Sequence, residues 1–443
     1  MCISLVLVSL LLMLSSCGGG GDSVLEKISK AMDELSSYEA DGELNITAYC
    51  YNEKLNITGE SKSIYSEEED LYYYSKSDIN IKHASFTTST TFLEAYNEGE
   101  YLLTYAVGDE KTRLRSEHTE AEITEYFEDR SEFGSILSGY SNISTSKNER
   151  NGYDVKLWNY DKKTIRALNA SYGFPLEKSG ATITDISVTI STHSNYLINE
   201  INIDYVFSSD DFSGSEKTLY SNYEAAEKIV SGLSVRNYTA VSDARVVSTL
   251  MSRLTEKTIS DEDSFKSEYK VKYSIMGVKE EITQEYDVSY AYTDNGYEFD
   301  VDKQAGDEKH HEKYEAGMYT LDGEDAEELS YYEARMYIDA LMDPFSFTPA
   351  GITKIEKTEG EAGTVIYTLD IYVNQTPIYD VAKQTISSIG AKYLRTNAQM
   401  QIEFKGDELV SINYLIEPVG QIHIGGYNYL EISIDIEAKT TFE

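Results

Sequence analysis

Apolar positions along the chain change period several times, and each change predicts an element. Ile3 to Leu14 is a continuous apolar run broken only by Ser4 and Ser9. It is about half of the roughly 20 residues that cross a bilayer as a helix, so it predicts a signal-peptide core. Val24, Leu25, Ile28, Met32 and Leu35 then fall on one face of a helix, with Glu26, Lys27, Lys30 and Asp33 opposite. The period switches to two at Leu44, Ile46 and Ala48, and strands and turns continue to about residue 115. Ala121 to Tyr140 reads as helix, carrying Ile123, Phe127, Ile136 and Leu137, and Val155 and Leu157 mark a strand. Lys162 to Ala170 reads as a short helix, followed by strands over Ile183–Ile190, Ile201–Phe207 and Lys217–Tyr223.

The same order then restarts. Val246, Val247, Leu250, Met251 and Leu254 form a helical stripe, and Tyr269, Val271, Tyr273 and Ile275 resume alternation. Tyr286 to Tyr292 and Tyr297 to Val301 flank Asp294-Asn295-Gly296, a tight hairpin turn whose Asn-Gly favours positive φ. Asp325 to Met342 reads as a helix stopped before Pro344, and strands follow near Ile352–Lys357 and Val365–Val373. A helix opens at Pro377. Three strands close the chain, with Met400, Ile402 and Phe404 on the first, Val410, Ile412, Tyr414 and Ile416 on the second, and Ile432, Ile434 and Ile436 on the third. Pattern order, not residue identity, therefore predicts an internal duplication with a period of about 200 residues and a boundary near Tyr238 to Asp243. Ser411 and Asn413 point away from Ile412 and Tyr414, which predicts antiparallel sheets covered on one face by helices.

Leu14-Ser15-Ser16-Cys17, followed by Gly18 to Gly21, resembles a bacterial lipobox, although no Lys or Arg precedes the apolar run. The resemblance implies that Cys17 is the lipidated residue. Two acyl chains anchor stably, at about 0.8 kcal/mol per buried methylene, and the Gly run is a flexible tether reaching on the order of 13 Å. The expected location is the extracytoplasmic face of a cell membrane. Of the three cysteines, Cys2 leaves with the signal, and Cys17 and Cys50 are too few for a disulfide framework. Cys50 shares a strand face with Leu44, Ile46 and Ala48, which predicts a buried small hydrophobe.

A lipobox, an amphipathic helix, long antiparallel meanders and inserted helices together resemble the LolA/LppX-like family of bacterial lipoproteins, here with the unit occurring twice. The resemblance implies an α+β fold of two tandem incomplete antiparallel β-barrels with covering helices. The expected division is a signal peptide over 1–16, lipidated Cys17 and tether over 17–23, and LolA-like domains over 24–238 and 241–443. It also implies an apolar or lipid-like ligand held between sheet and helices. The residues expected to line that cavity are Val271, Tyr273, Ile402, Phe404, Tyr414 and Ile432. Core packing explains the same six positions equally well.

Charge and motifs narrow the chemistry. Lys+Arg number 38 against 77 Asp+Glu, a net charge of −39, which excludes a nucleic-acid binder relying on a broad basic surface. An anionic leaflet repels such a body within about 8 Å. No P-loop, H-E-x-x-H or G-x-S-x-G is present. Among His83, His118, His193, His310, His311 and His423, only His310 and His311 are neighbours, in a charged turn that reads as solvated loop. Cys50 has no nearby histidine to activate it, so no enzyme, cofactor or metal site is expected. The acidic groups Glu67–Asp70, Asp210-Asp211, and Asp300, Asp302 and Asp307 lack calcium-loop spacing and read mainly as solvated surface, with weak calcium binding the alternative. Of the 38 tyrosines, Tyr72-Tyr73-Tyr74 and Tyr331-Tyr332 read as half-exposed strand residues, or alternatively as a ligand rim. Trp158 is expected in the core. Two functions follow: a lipid-binding surface lipoprotein, or a non-enzymatic interaction or sensory module whose filled barrels dock a protein or cell-wall partner.

Overall fold

The computed structural model describes residues 23–50, 53–67, 70–108, 110–131, 139–172, 182–208, 212–229, 233–275, 278–293, 296–324, 326–373, 376–425 and 428–443. Cys17, the Asp294-Asn295 turn, Asp210-Asp211, Glu68-Glu69 and the side chain of Cys50 lie outside that set. The chain divides into two units, residues 1–240 and 241–443.

The first unit runs α1 (Ser23–Asp33), β1 (Ser37–Cys50), β2 (Glu53–Ser66), β3 (Tyr72–Lys82), β4 (Thr87–Asn97), β5 (Glu100–Val107), β6 (Glu110–Glu117), α2 (Glu120–Ser131), β7 (Tyr140–Lys147), β8 (Tyr153–Tyr160), α3 (Lys162–Tyr172), β9 (Ile183–Thr192), β10 (Ile198–Phe207), β11 (Ser213–Ser221) and β12 (Thr239–Ala240). The second runs α4 (Arg245–Ile259), β13 (Glu262–Ile275), β14 (Val278–Thr293), β15 (Gly296–Ala305), β16 (Glu308–Glu315), β17 (Met318–Leu321), β18 (Glu327–Glu328), α5 (Tyr331–Met342), β19 (Ile352–Glu359), β20 (Val365–Ile371), α6 (Ile378–Ser388), β21 (Lys392–Lys405), β22 (Glu408–Gly425) and β23 (Asn428–Phe442). The sheets have orders 12-6-5-4-3-2-1-11-10-9-8-7 and 18-17-16-15-14-13-23-22-21-20-19. Apart from β12 the two orders are the same topology, open at both edges.

Each inner face is apolar where helices lie on it. In the first unit Leu25, Ile28 and Met32 of α1 share a core with Leu44, Ile46, Ile57, Val188 and Ile201. In the second, Val246, Val247 and Leu250 of α4, Ala334 and Ile338 of α5, and Ile378, Ala382 and Ile386 of α6 are all buried. Pro377 is the N-cap of α6. A Cβ at Gly420 of β22 would sit 2.5 Å from Ile386 Cγ2 and 3.2 Å from Ala391 Cβ. Ile386 is β-branched and stiff, so Gly420→Ala is expected to cost about 1–3 kcal/mol in urea denaturation. Adding Ile386→Ala should cost less than the two single changes summed; strict additivity would mean that the glycine does not seat this helix.

Several boundaries differ from the sequence reading. The helix expected over Asp325–Met342 starts at Tyr331, because Ser330 and Glu333 close a capping box there and Glu327–Glu328 pair with β17 as a strand. The helix expected to reach Tyr140 is helical over Glu120–Ser131, and Tyr140 opens β7. On β22 the inner residue is Leu409, not Val410: Glu403 pairs with Ser411 while Phe404 pairs with Leu409, so Val410 is the extra residue of a bulge. Trp158 is half-buried, on the face opposite the Val155 and Leu157 core.

The largest departure is the outer face of the first sheet, expected to be solvated. Ile64, Tyr72, Tyr74, Leu93, Ala95 and Leu102 form a second apolar cluster there with Tyr238, packed against Ala226, Ile229 and Leu233. Residues 222–229 and 233–238, after β11, lie over this face as a strap. Ile229 N donates to Tyr72 Oη at 3.0 Å and that hydroxyl donates to Ile229 O at 3.1 Å. Glu227 N donates to Glu39 Oε1 at 3.1 Å, and Thr104 Oγ1 to Tyr238 Oη at 3.1 Å. β12 then pairs in parallel with β6. Tyr72, Tyr73 and Tyr74 are consequently all buried, neither half-exposed nor a rim.

Candidate functional site

The six positions proposed to line a cavity separate into two groups. Ile402, Phe404, Tyr414 and Ile432 are 0%, 4%, 2% and 3% exposed. A side chain beside a space wide enough for an acyl chain would expose far more, so these four are packed. Tyr414 Oη donates to Asp343 Oδ1 at 2.6 Å, and its ring meets Phe345 edge-on at 5.0 Å. Burial pushes the Asp343 carboxyl up, partly offset by that hydroxyl. Val271 and Tyr273 are half-buried. Val271 pairs with Ile282, which is 52% exposed, and Tyr273 Oη donates to Glu280. The structure thus brings Ile402 and Tyr414 into one packed interior and leaves Val271 and Tyr273 at a more open stretch.

Each interior also holds a buried glutamate that the sequence reading missed. In the first unit Glu94 of β4 is fully buried and accepts from Tyr101 Oη of β5 and from Tyr126 Oη of α2, the latter at 3.0 Å. In the second, Glu312 of β16 is buried and bonded by Tyr319 of β17 and Tyr337 of α5. Burial first, then Glu312, pushes Tyr319 up to about 12 and raises Tyr337 as well.

The match extends residue by residue. Tyr96 Oη donates to His118 O at 3.0 Å and Tyr314 Oη to Leu329 O at 3.3 Å, each acceptor two residues before its helix. Tyr96 pairs with Tyr101 and Tyr314 with Tyr319 around turns with positive φ at Glu98 and Gly99, and at Ala316 and Gly317. Thr119 with Glu122, and Ser330 with Glu333, cap the two helices reciprocally. The legible signal was E-x-Y-x-x-G-x-Y, at Glu94–Tyr101 and again at Glu312–Tyr319, followed by [ST]-x-x-E-x-x-x-Y at Thr119–Tyr126 and Ser330–Tyr337. The tyrosine hydroxyls can hold each helix against its sheet through one carboxylate.

His310 and His311 lie on β16, not in a solvated turn, and point to opposite faces as adjacent strand residues must. His311 sits between two carboxylates, Nδ1 at 2.9 Å from Asp302 Oδ1 and Nε2 at 3.0 Å from Asp300 Oδ1. His310 Nδ1 is 2.8 Å from Asp322 Oδ2. Hydrogen bonding to Asp302 and Asp322 respectively raises both imidazoles. Asp300 and Asp302, weighed above as calcium ligands, are thus histidine partners. Among the described residues no group of three or more His, Cys, Asp or Glu is placed to hold a metal.

Two depressions lie on the polar outer face of the second sheet. One, of about 840 Å³, is lined by residues including Lys272, Asp370, Asn397, Gln399, Glu417 and Asp435. The other, of about 550 Å³, is lined by residues including Lys266, Glu285, Asp287, Lys303, Lys309 and Lys439. None of the six proposed cavity residues borders either one.

No family model and no curated protein matches the chain. Among solved structures it is similar to LprF from Mycobacterium bovis, at 13% identity over 46% of this chain and 93% of that one, with a TM-score of 0.26. It is also similar to a DUF1329 family protein from Desulfovibrio piger, at 10% identity over 49% and 98% with a TM-score of 0.20. A third is a β-barrel-like DUF1849 protein from Brucella abortus, at 8% identity over 44% and 99% with a TM-score of 0.15. Scores at this level assign neither fold family nor function to this chain. No helix among the described residues is long and apolar enough to cross a membrane.

Proposed function

We propose that the chain is a non-enzymatic extracytoplasmic lipoprotein, anchored through lipidated Cys17, whose two units are filled scaffolds that engage partners on their surfaces. One observation, made in the second unit, carries this reading: Ile402, Phe404, Tyr414 and Ile432 are at most 4% exposed, while the two depressions lie elsewhere, lined by charged and amide side chains together with Leu415 and Tyr372. These four side chains are packed against their neighbours and leave no room for an apolar ligand beside them. The Leu14-Ser15-Ser16-Cys17 sequence supports the anchor, and the charge of −39 keeps a tethered body clear of an anionic leaflet.

The other reading, a lipid carrier, draws on Val271, Tyr273 and Ile282, a partly open apolar stretch on the inner face. Native mass spectrometry of the full chain after organic extraction separates the two. A mass equal to the acylated polypeptide alone, with no uptake of a fluorescent fatty acid, is the expected result. A co-purifying, non-covalent lipid would overturn the filled-scaffold reading in favour of the carrier.

A further inference from the structure

The 840 Å³ depression is ordered across the sheet. Lys270, Glu437, Leu415, Gln399 and Asp370 are direct register partners on β13, β23, β22, β21 and β20. At about 4.8 Å between strands they form a row roughly 19 Å long, perpendicular to the strands. A second row, two residues along, sets Lys272 opposite Asp435 and Glu417 opposite Asn397. Gln399 Nε2 donates to Asp370 Oδ1 at 2.8 Å, Asn397 Nδ2 to Glu417 Oε2 at 3.1 Å, and Ser433 Oγ to Glu417 Oε1 at 3.0 Å. Thr353, whose Oγ1 donates to Asp370 O at 3.2 Å, also borders the groove, as does Tyr372, 53% exposed.

We infer that this groove binds a short stretch of uncharged linear glycan laid across the strands. The inference rests on the filled-scaffold reading and names its partner class. A saccharide hydroxyl both donates and accepts, which suits a lining where amide donors, carboxylate acceptors, hydroxyls and ammonium groups alternate. The hydrogen bonds within the rows hold those side chains in place before a ligand arrives, which lowers the cost of ordering them on binding. The volume lies in the range of small-ligand clefts, and the exposed Tyr372 ring offers a flat apolar face with a polar tip. Asp370 and Glu417 are already engaged by amides, and Lys270 and Lys272 stand in the same rows, so the lining suits hydroxyls better than a cationic peptide.

The test is calorimetric titration of the full chain with chitotetraose and with cellotetraose, alongside sedimentation with insoluble peptidoglycan. Binding of at least one of these is expected, weakened fivefold or more by Gln399→Ala and by Tyr372→Ala at unchanged melting temperature, and untouched by Lys303→Ala in the other depression. Silence from all three probes, or binding that survives both substitutions, would overturn the proposal. A non-covalent lipid in the native spectrum together with groove-dependent saccharide binding would sink the filled-scaffold reading and leave the groove standing. The reverse result would sink only the groove.

Discussion

Tyr101→Ala is expected to lower the stability of the first unit by about 3–5 kcal/mol, the range for truncating a large buried ring. Tyr101 is fully buried, its ring meets Tyr126 edge-on at 5.9 Å, and its hydroxyl donates to fully buried Glu94. The substitution therefore opens a cavity and removes a donor from a buried carboxylate at once. Tyr101→Phe isolates the second effect, at about 1–3 kcal/mol for a buried polar group deprived of a partner. The protein's one tryptophan, Trp158, lies on β8 of the first unit, so its fluorescence during urea denaturation reports that unit. A loss below about 1 kcal/mol for the alanine variant would deny Tyr101 its place in the clamp. Its counterpart Tyr319 is only half-buried, so Tyr319→Ala should cost less and leave the tryptophan transition in place.

Glu216→Gln should raise the stability of the first unit at pH 8 by up to about 3 kcal/mol, the equivalent of its pKa displacement. Glu216 of β11 is buried between register partners Leu44 and Ile203. Burial pushes its carboxyl up to about 7, only partly countered by Tyr205 Oη at 3.0 Å, and Oε1 has no hydrogen-bond partner among the described residues. The sign follows from proton counting. Between its ordinary value of 4.5 and about 7 the folded protein holds a proton that the unfolded chain has released, so stability falls as pH rises through that window and levels off above it. Asp339 and Asp343 of the second unit are also raised by burial, so the informative quantity is the difference between parent and variant in the Trp158 transition. That difference should grow from pH 4.5 to 7; a difference that is flat with pH would mean that Glu216 ionises as freely folded as unfolded.

How much of this was legible depended on whether the information was local. Helices with a single stripe, such as Val246-Val247-Leu250-Met251, and strands with clean alternation, such as Met400-Ile402-Phe404, were read near their true places because periodicity alone fixes which face is apolar. The bulge at Val410 was not legible, since an extra residue leaves composition unchanged and inverts the face only through pairing with Glu403 and Phe404. The strap over the first sheet did leave a trace: Tyr72-Tyr73-Tyr74 and Leu102-Leu103 are consecutive apolar residues, which a strand with one wet face does not carry. What they required was a second cover, and the polar-looking stretch after β11 gave little sign of providing it. The Glu–Tyr clamps were visible as an eight-residue spacing pattern repeated in both halves, hidden because the residues between the fixed positions share almost nothing. The glycan groove was beyond reach, as its rows join residues up to 167 positions apart that only the register places side by side.

The strap also changes what counts as a transferable module. A fragment ended at Ser221 would contain β1 to β11 yet leave Tyr72, Tyr74, Leu93 and Leu102 bare to water, a sticky patch of the sort that drives self-association. Recombination that duplicates or swaps the first unit therefore has to carry residues through Ala240, so the heritable segment is longer than the uninterrupted run of strands. The stretch that looks like a spacer is the one least free to be shortened, lengthened or replaced.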